Sequence, residues 1–166
     1  YDLLYQEKDY KAEVKYVADL ISSHTFNGHH LLEMGCGTGV HAENLSRMGY
    51  EILGVDRSES MLKRAKERKK HLPDKLSLML NFVSGDIRSF NTSTTFDVVL
   101  SLFHVLSYQN ENADLLATFK TANRHLRKGG IFIFDCWYGP AVLNECPEVR
   151  VKRISDKSIE VLRIAE

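Results

Sequence analysis

Apolar positions in this chain change their spacing several times. Val14, Val17, Ala18 and Ile21 fall on one face of a helix predicted over residues 9–23. Short apolar runs then predict strands at 31–34, 52–55, 79–84, 96–102 and 131–134. Between them lie helical stretches at 40–47, 58–71 and 113–126. Ser58 caps the second of these, and Met61, Leu62 and Ala65 form its buried stripe. Pro73-Asp74 reads as a chain break, and Lys128-Gly129-Gly130 as a C-terminal helix stop.

The run 96–102 is almost continuously apolar, as a central parallel strand buried on both faces should be. Strand and helix alternating in this way predict an α/β fold, a Rossmann-like, doubly wound, mostly parallel sheet. Past Pro140 the pattern changes. Residues 149–154 and 159–164 alternate apolar and polar around Ser155-Asp-Lys-Ser158, which predicts an antiparallel hairpin. The hairpin does not continue the parallel sheet, so it is assigned to a lid or an insertion. The organisation expected is a core over 1–140 and a hairpin over 141–166.

The chain has 166 residues and 19.0 kDa, enough for one domain with a real core. Lys+Arg and Asp+Glu are both 22, so no net field recruits nucleic acid or an anionic membrane. No apolar run approaches membrane-spanning length, and no signal-peptide pattern opens the chain. Cys36, Cys136 and Cys146 show no Cys-x-x-Cys spacing, so neither a metal site nor a disulfide framework is expected. A reduced, cytoplasmic setting follows. The start at Tyr1 without Met and the strand-like end at Glu166 read as a fragment.

Glu33-Met-Gly-Cys-Gly-Thr-Gly39 carries the chemistry. Alternating glycines behind a strand let the backbone turn sharply and approach a ligand. A dinucleotide site wants Gly-x-Gly-x-x-Gly, but the third glycine here falls one place early and Val40 takes its position. Glu33 puts a carboxylate at the mouth of the strand, where it repels a pyrophosphate and suits an ammonium or sulfonium. Asp56 ends the second strand, where an acid accepts from ribose hydroxyls. Asp86 follows the third, placed to accept from an adenine amino group, with Met61 and Ile87 on either side of the ring. Three acids at three successive strand ends match the crevice rule for open sheets. They fit S-adenosylmethionine better than NAD.

Leu31-Leu-Glu-Met-Gly-Cys-Gly-Thr-Gly39, Gly54-Val-Asp-Arg-Ser-Glu-Ser-Met-Leu62, Gly85-Asp-Ile-Arg88, Phe96-Asp-Val-Val-Leu-Ser101 and Leu126-Arg-Lys-Gly-Gly-Ile-Phe-Ile-Phe134 resemble the ordered motifs of class I S-adenosylmethionine-dependent methyltransferases. The resemblance covers about residues 28–140. It implies cofactor contacts at Glu33, Gly35, Cys36, Gly37, Gly39, Asp56, Arg57, Met61, Asp86, Ile87 and Leu102. It also implies that the N-terminal segment, with Tyr1, Tyr5 and Tyr10, serves as a lid or packs as ordinary aromatics. Phe103-His-Val-Leu-Ser-Tyr108 and Asp135-Cys-Trp-Tyr-Gly-Pro140 are similar to small-molecule N-methyltransferases that dimethylate amino sugars. The class adds a sixth and a seventh strand, the last antiparallel, for which no candidates remain before Glu166.

Methyl transfer from a sulfonium is an in-line displacement, so the protein supplies alignment and, where needed, a proton acceptor. Positioning alone is worth roughly 7–11 kcal/mol. His104, just past the fourth strand, either takes a proton from an amine or packs at a helix start. Tyr108 either bonds the acceptor or packs, and Trp137 and Tyr138 either wall its pocket or fill space. The basic run Lys63–Lys70 reads as a solvated helix face. The partner expected is a small-molecule acceptor, more an amine than a hydroxyl, with no nucleic acid, no membrane and a possible homodimer. The alternatives are a non-catalytic cofactor-binding module and an NAD-dependent oxidoreductase.

Overall fold

The computed structural model describes residues 2–5, 7–25, 28–144, 149–155 and 160–165. It divides into two compact units, residues 10–136 and residues 1–9 with 137–166. The division differs from the one read at residue 140, because residues 1–9 group with the hairpin rather than with the core.

In the larger unit, α1 (Tyr10–His24) buries Val14, Val17, Ala18 and Ile21, the face its periodicity predicts. It is followed by β1 (His30–Met34), α2 (Val40–Arg47), β2 (Glu51–Asp56) and α3 (Glu59–Lys70). Then come α4 (Asp74–Leu78), β3 (Leu80–Ser84), β4 (Phe96–Ser101), α5 (Asn112–His125) and β5 (Leu126–Phe134). All strand pairs are parallel, in the order β3-β2-β1-β4-β5. The order reverses between β1 and β4, and the crevice outside their carboxyl ends is where such sheets take ligands.

Strand side chains alternate between the two faces. Leu31, Ile52, Leu80, Val98 and Leu100 meet Val14, Ile21, Leu45, Leu62 and Ala65 from α1, α2 and α3. Leu32, Met34, Val55 and Val99 form a second cluster with Ala122 of α5. Ser58 caps α3 as expected, accepting from the Met61 amide. Met61 itself is only half-buried, so the stripe narrows to Leu62 and Ala65.

Two punctuation signals act differently from the expectation. Pro73 sits at the N-cap of α4, so Pro73-Asp74 begins a short helix instead of only breaking the chain. Lys128-Gly129-Gly130 stops no helix: α5 ends at His125, and these residues lie inside β5. There the register against β4 slips between Phe96 and Val98, and Gly129 takes φ 82. A left-handed glycine at a bulge explains the composition that read as a stop.

In the smaller unit, α6 (Gly139–Asn144) precedes β6 (Arg150–Ser155) and β7 (Glu160–Ala165), which pair antiparallel as predicted. Lys152 Nζ donates to the Leu4 carbonyl at 3.1 Å, and the Arg163 guanidinium lies 5.9 Å from the Tyr5 ring centre. These contacts fasten the 3-10 turn Asp2–Tyr5 to the hairpin. Tyr1, Cys146 and residues 156–159, which include most of the expected hairpin turn 155–158, lie outside the described residues.

Candidate functional site

The glycine turn between β1 and α2 holds Gly35, Gly37 and Gly39 at φ 83, 53 and 75. Four of its backbone donors are already committed. The Gly35 and Cys36 amides donate to the Val55 carbonyl at 2.7 and 3.0 Å, Gly37 to Asp56 Oδ2 at 2.8 Å, and Gly39 to the Cys36 carbonyl at 2.9 Å. A turn that spends its N–H groups in this way is a poor cradle for a pyrophosphate. A Cβ on Gly35 would lie 2.5 Å from Val105 Cγ1, and one on Gly39 2.8 Å from Phe82. One on Gly37 would meet nothing within 4 Å, so the turn is packed on both flanks and open at its middle.

Asp56, at the end of β2, clamps this turn through Oδ2 and accepts from the Ser58 amide through Oδ1 at 2.8 Å. Each carboxylate oxygen has room for a second hydrogen bond, which leaves capacity for a diol.

Glu33 departs from its expected place. It is 1% exposed rather than at the mouth of the strand. The reason is parity: Glu33 shares its face of β1 with Leu31, the face covered by α1 and α2. Oε1 lies 3.9 Å from His41 Nδ1, and Oε2 has no hydrogen-bond partner. Burial pushes this carboxyl up to about 7, against the opposing pull of His41, with Asp56 raising it further and the Ala42 amide lowering it.

Asp86, expected to face an adenine, is bound to the chain itself. It accepts from Arg88 Nη2 at 2.6 Å and from the Arg88 amide and Nε at 2.9 Å, and Arg88 reaches on to Asp114 of α5 at 3.0 Å. The hydrogen bonds from Arg88 hold the Asp86 carboxyl down at about 2, against the effect of burial. Ile87 is buried in the cluster on the α5 face. Met61 and Leu102 are half-buried and Arg57 is exposed. The Cys36 side chain packs against Gly54, and burial raises its thiol well above the ordinary range, so it is no nucleophile.

Past β4, Phe103 and His104 take φ 67 and 61, two successive non-glycine residues in the left-handed region. Such residues cost about 1–3 kcal/mol each and persist where the surroundings hold them. Asp135, at the end of β5, supplies part of that hold. Its Oδ1 accepts from the His104 amide at 2.9 Å, and its Oδ2 lies 3.5 Å from His104 Nδ1. Tyr108 is 78% exposed on the 3-10 turn Val105–Tyr108. Trp137 and Tyr138 belong to the smaller unit, 60% and 72% exposed.

The structure therefore gathers Gly35, Gly37, Gly39 and Asp56 at one turn, sets Glu33 beneath it, and puts His104 past β4. Two polar anchors of the sheet, away from this turn, leave no mark in the sequence. Asp97 accepts from the His29 and His30 amides at 3.0 and 2.9 Å and from Arg127 at 2.7 Å, joining β1, β4 and β5. His125, fully buried, accepts from the Thr92 amide at 3.1 Å through Nε2, so Nδ1 carries the proton given to the Thr121 carbonyl at 2.8 Å. Neither contact leaves a periodic signal. An aspartate beside a strand and a histidine in a helix take their partners from distant segments.

A family model described as a methyltransferase domain matches residues 31–130. Over 142 residues the chain is 34% identical to the dTDP-3-amino-3,4,6-trideoxy-alpha-D-glucopyranose N,N-dimethyltransferase of Streptomyces venezuelae, covering 84% of this chain and 56% of the relative. The crystal structure of Streptomyces venezuelae DesVI matches with TM-score 0.83 and 32% identity, covering 99% of this chain and 66% of that one. A structure of S-adenosylmethionine-bound CalS10, an amino pentose methyltransferase from Micromonospora echinaspora, matches with TM-score 0.77 and 26% identity, covering 96% and 64%. The chain spans about half the length of the curated relatives it matches.

Proposed function

From the premise that this chain belongs to the methyltransferase domain family, we propose that it binds S-adenosylmethionine and moves a methyl group to an amine nitrogen of a small molecule, by preference an amino sugar on a nucleotide carrier. The observation that carries the donor half is the self-satisfied glycine turn, open at Gly37 and clamped by Asp56. It suits a nucleoside without a pyrophosphate. The acceptor half is supported by the similarity to an amino-sugar N,N-dimethyltransferase.

When bound, the donor supplies an electrophilic methyl group for in-line displacement. Asp56 takes the ribose hydroxyls on its remaining acceptor sites while keeping Gly37 in place. Glu33, buried beneath the turn, would act on the ammonium end through its charge. Asp86 and the Ile87 backbone border the adenine, with Met61 opposite. His104, held by Asp135, accepts the proton that an amine must lose before its lone pair attacks.

The remaining assignments belong to the same proposal. A small-molecule partner rather than nucleic acid is supported by 22 basic and 22 acidic residues. A cytoplasmic setting is supported by the free thiols of Cys36 and Cys136. Separately, no helix among the described residues is long and apolar enough to cross a membrane. A homodimer is supported by Val151, Leu162 and Ile164, exposed on one face of the hairpin.

Incubation with S-adenosylmethionine and three acceptor classes tests the function: nucleotide-linked amino sugars, the corresponding hydroxy sugars, and short RNA. Mass analysis should find one or two methyl groups added to the amino sugar alone. Methylation of only the hydroxy sugar or the RNA would overturn the acceptor assignment.

A further inference from the structure

Behind the glycine turn, His41 and Glu13, two titratable side chains with no assigned part in methyl transfer, stand in a row with Glu33. His41, on α2, is 7% exposed. Its Nε2 lies 3.0 Å from Glu13 Oε2 on α1, and its Nδ1 lies 3.9 Å from Glu33 Oε1 on β1. The Tyr10 ring meets the imidazole edge-on, with centroids 5.1 Å apart. The imidazole thus sits between an outer carboxylate near solvent and an inner one that is buried. Only the doubly protonated ring offers an N–H to each.

Other groups around Glu33 divide by sign. Asp56 of β2 favours its protonated form, the Ala42 amide and His41 of α2 favour the carboxylate, and the raised Cys36 thiol stays neutral. Its strand neighbours, Gly54 on β2 and Leu100 on β4, carry no charge. When doubly protonated, His41 is a positive partner within reach of a buried acid whose Oε2 has no protein partner.

We propose that His41 is a positioning residue for the methyl donor: the row Glu13–His41–Glu33 favours and orients the ionised form of the inner carboxylate, and so couples the docking of α1 to binding of the ligand's ammonium group. The proposal rests on the donor binding set out above and deepens it. The row explains why an acid so deeply buried is kept at this position. It also gives α1 a link to the ligand site that passes through one ring rather than through the sheet.

Two measurements test it, on the chain itself and on His41→Gln and Glu13→Gln. The first is the NMR titration of the Glu33 carboxyl carbon without ligand. Losing an opposite charge at this range should move the midpoint upward by about one pH unit or more in His41→Gln, and by less in Glu13→Gln. The second is S-adenosylhomocysteine affinity as a function of pH. Affinity should fall as acid neutralises Glu33, and in both variants the fall should begin at higher pH. Glu13 is exposed, so its substitution keeps the test alive if His41→Gln does not fold. Superimposable titrations and affinity profiles, with binding intact, would overturn the positioning role alone. No binding at any pH in the unaltered chain would overturn the donor function itself, whatever the carboxyl titration gives.

Discussion

Buried and incompletely partnered, Glu33 makes the unliganded chain sensitive to pH. Its carboxyl sits at about 7 in the folded chain against an ordinary 4.5. Between those values the folded state keeps a proton that the unfolded chain has released, so this group's contribution to stability falls as pH rises from 4.5 through 7. Glu33→Gln removes the ionisable group while keeping the shape. Well above pH 7 the substitution should stabilise the unliganded chain by about 1–3 kcal/mol, and below the ordinary carboxyl range by almost nothing. Urea unfolding at the two pH values checks this; an equal effect at both would remove the buried charge as its cause. The sequence marked Glu33 as a site residue from its place before the glycines. It did not say which way the side chain turns, because that depends on which face of β1 the helices α1 and α2 cover. Asp86 is similar: the strand end was legible, but the pairing with Arg88 and Asp114 depends on where α5 lies.

At the scale of the element, the turn's three glycines serve different ends. Gly35 and Gly39 are forced by close neighbours as well as by backbone, whereas Gly37 is forced by backbone alone. Gly35→Ala adds overpacking against Val105 to left-handed strain and should cost about 3 kcal/mol of stability. Gly37→Ala should cost only about 1 kcal/mol from the same strain. Its methyl group would project into the open middle of the turn, so the account expects S-adenosylhomocysteine affinity to drop by about tenfold or more, a loss of about 1.4 kcal/mol. Denaturation midpoints and calorimetric affinities measured on both variants separate the two effects. A Gly37→Ala chain that binds like the parent would show that the ligand lies elsewhere. The helices with one clear apolar face were legible from spacing: Val14, Val17, Ala18 and Ile21 describe α1 completely. Where Pro or Gly punctuated the chain, two different structures shared one composition. Pro73 begins a helix and Gly129 makes a bulge, and only the strand they abut distinguishes these from a break and a stop.

Across the whole molecule, alternating strands and helices were enough to give the parallel sheet and to place its carboxyl ends on one side. The reversal of order between β1 and β4 then makes the crevice. The grouping of residues 1–9 with the hairpin was not legible, because it depends on contacts such as Lys152 with Leu4, far apart in the chain. Asp135 was quoted in the sequence only as part of a motif; its hold on His104 appears once β4 and β5 are seen side by side. On this reading the turn binds a pyrophosphate-free nucleoside that carries an amino-acid ammonium group. Calorimetric titration of the chain with S-adenosylmethionine, S-adenosylhomocysteine and NAD tests it most directly. Both sulfur ligands should show saturable one-to-one binding, and NAD should give no heat of binding. Binding of NAD with no response to either sulfur ligand would contradict it.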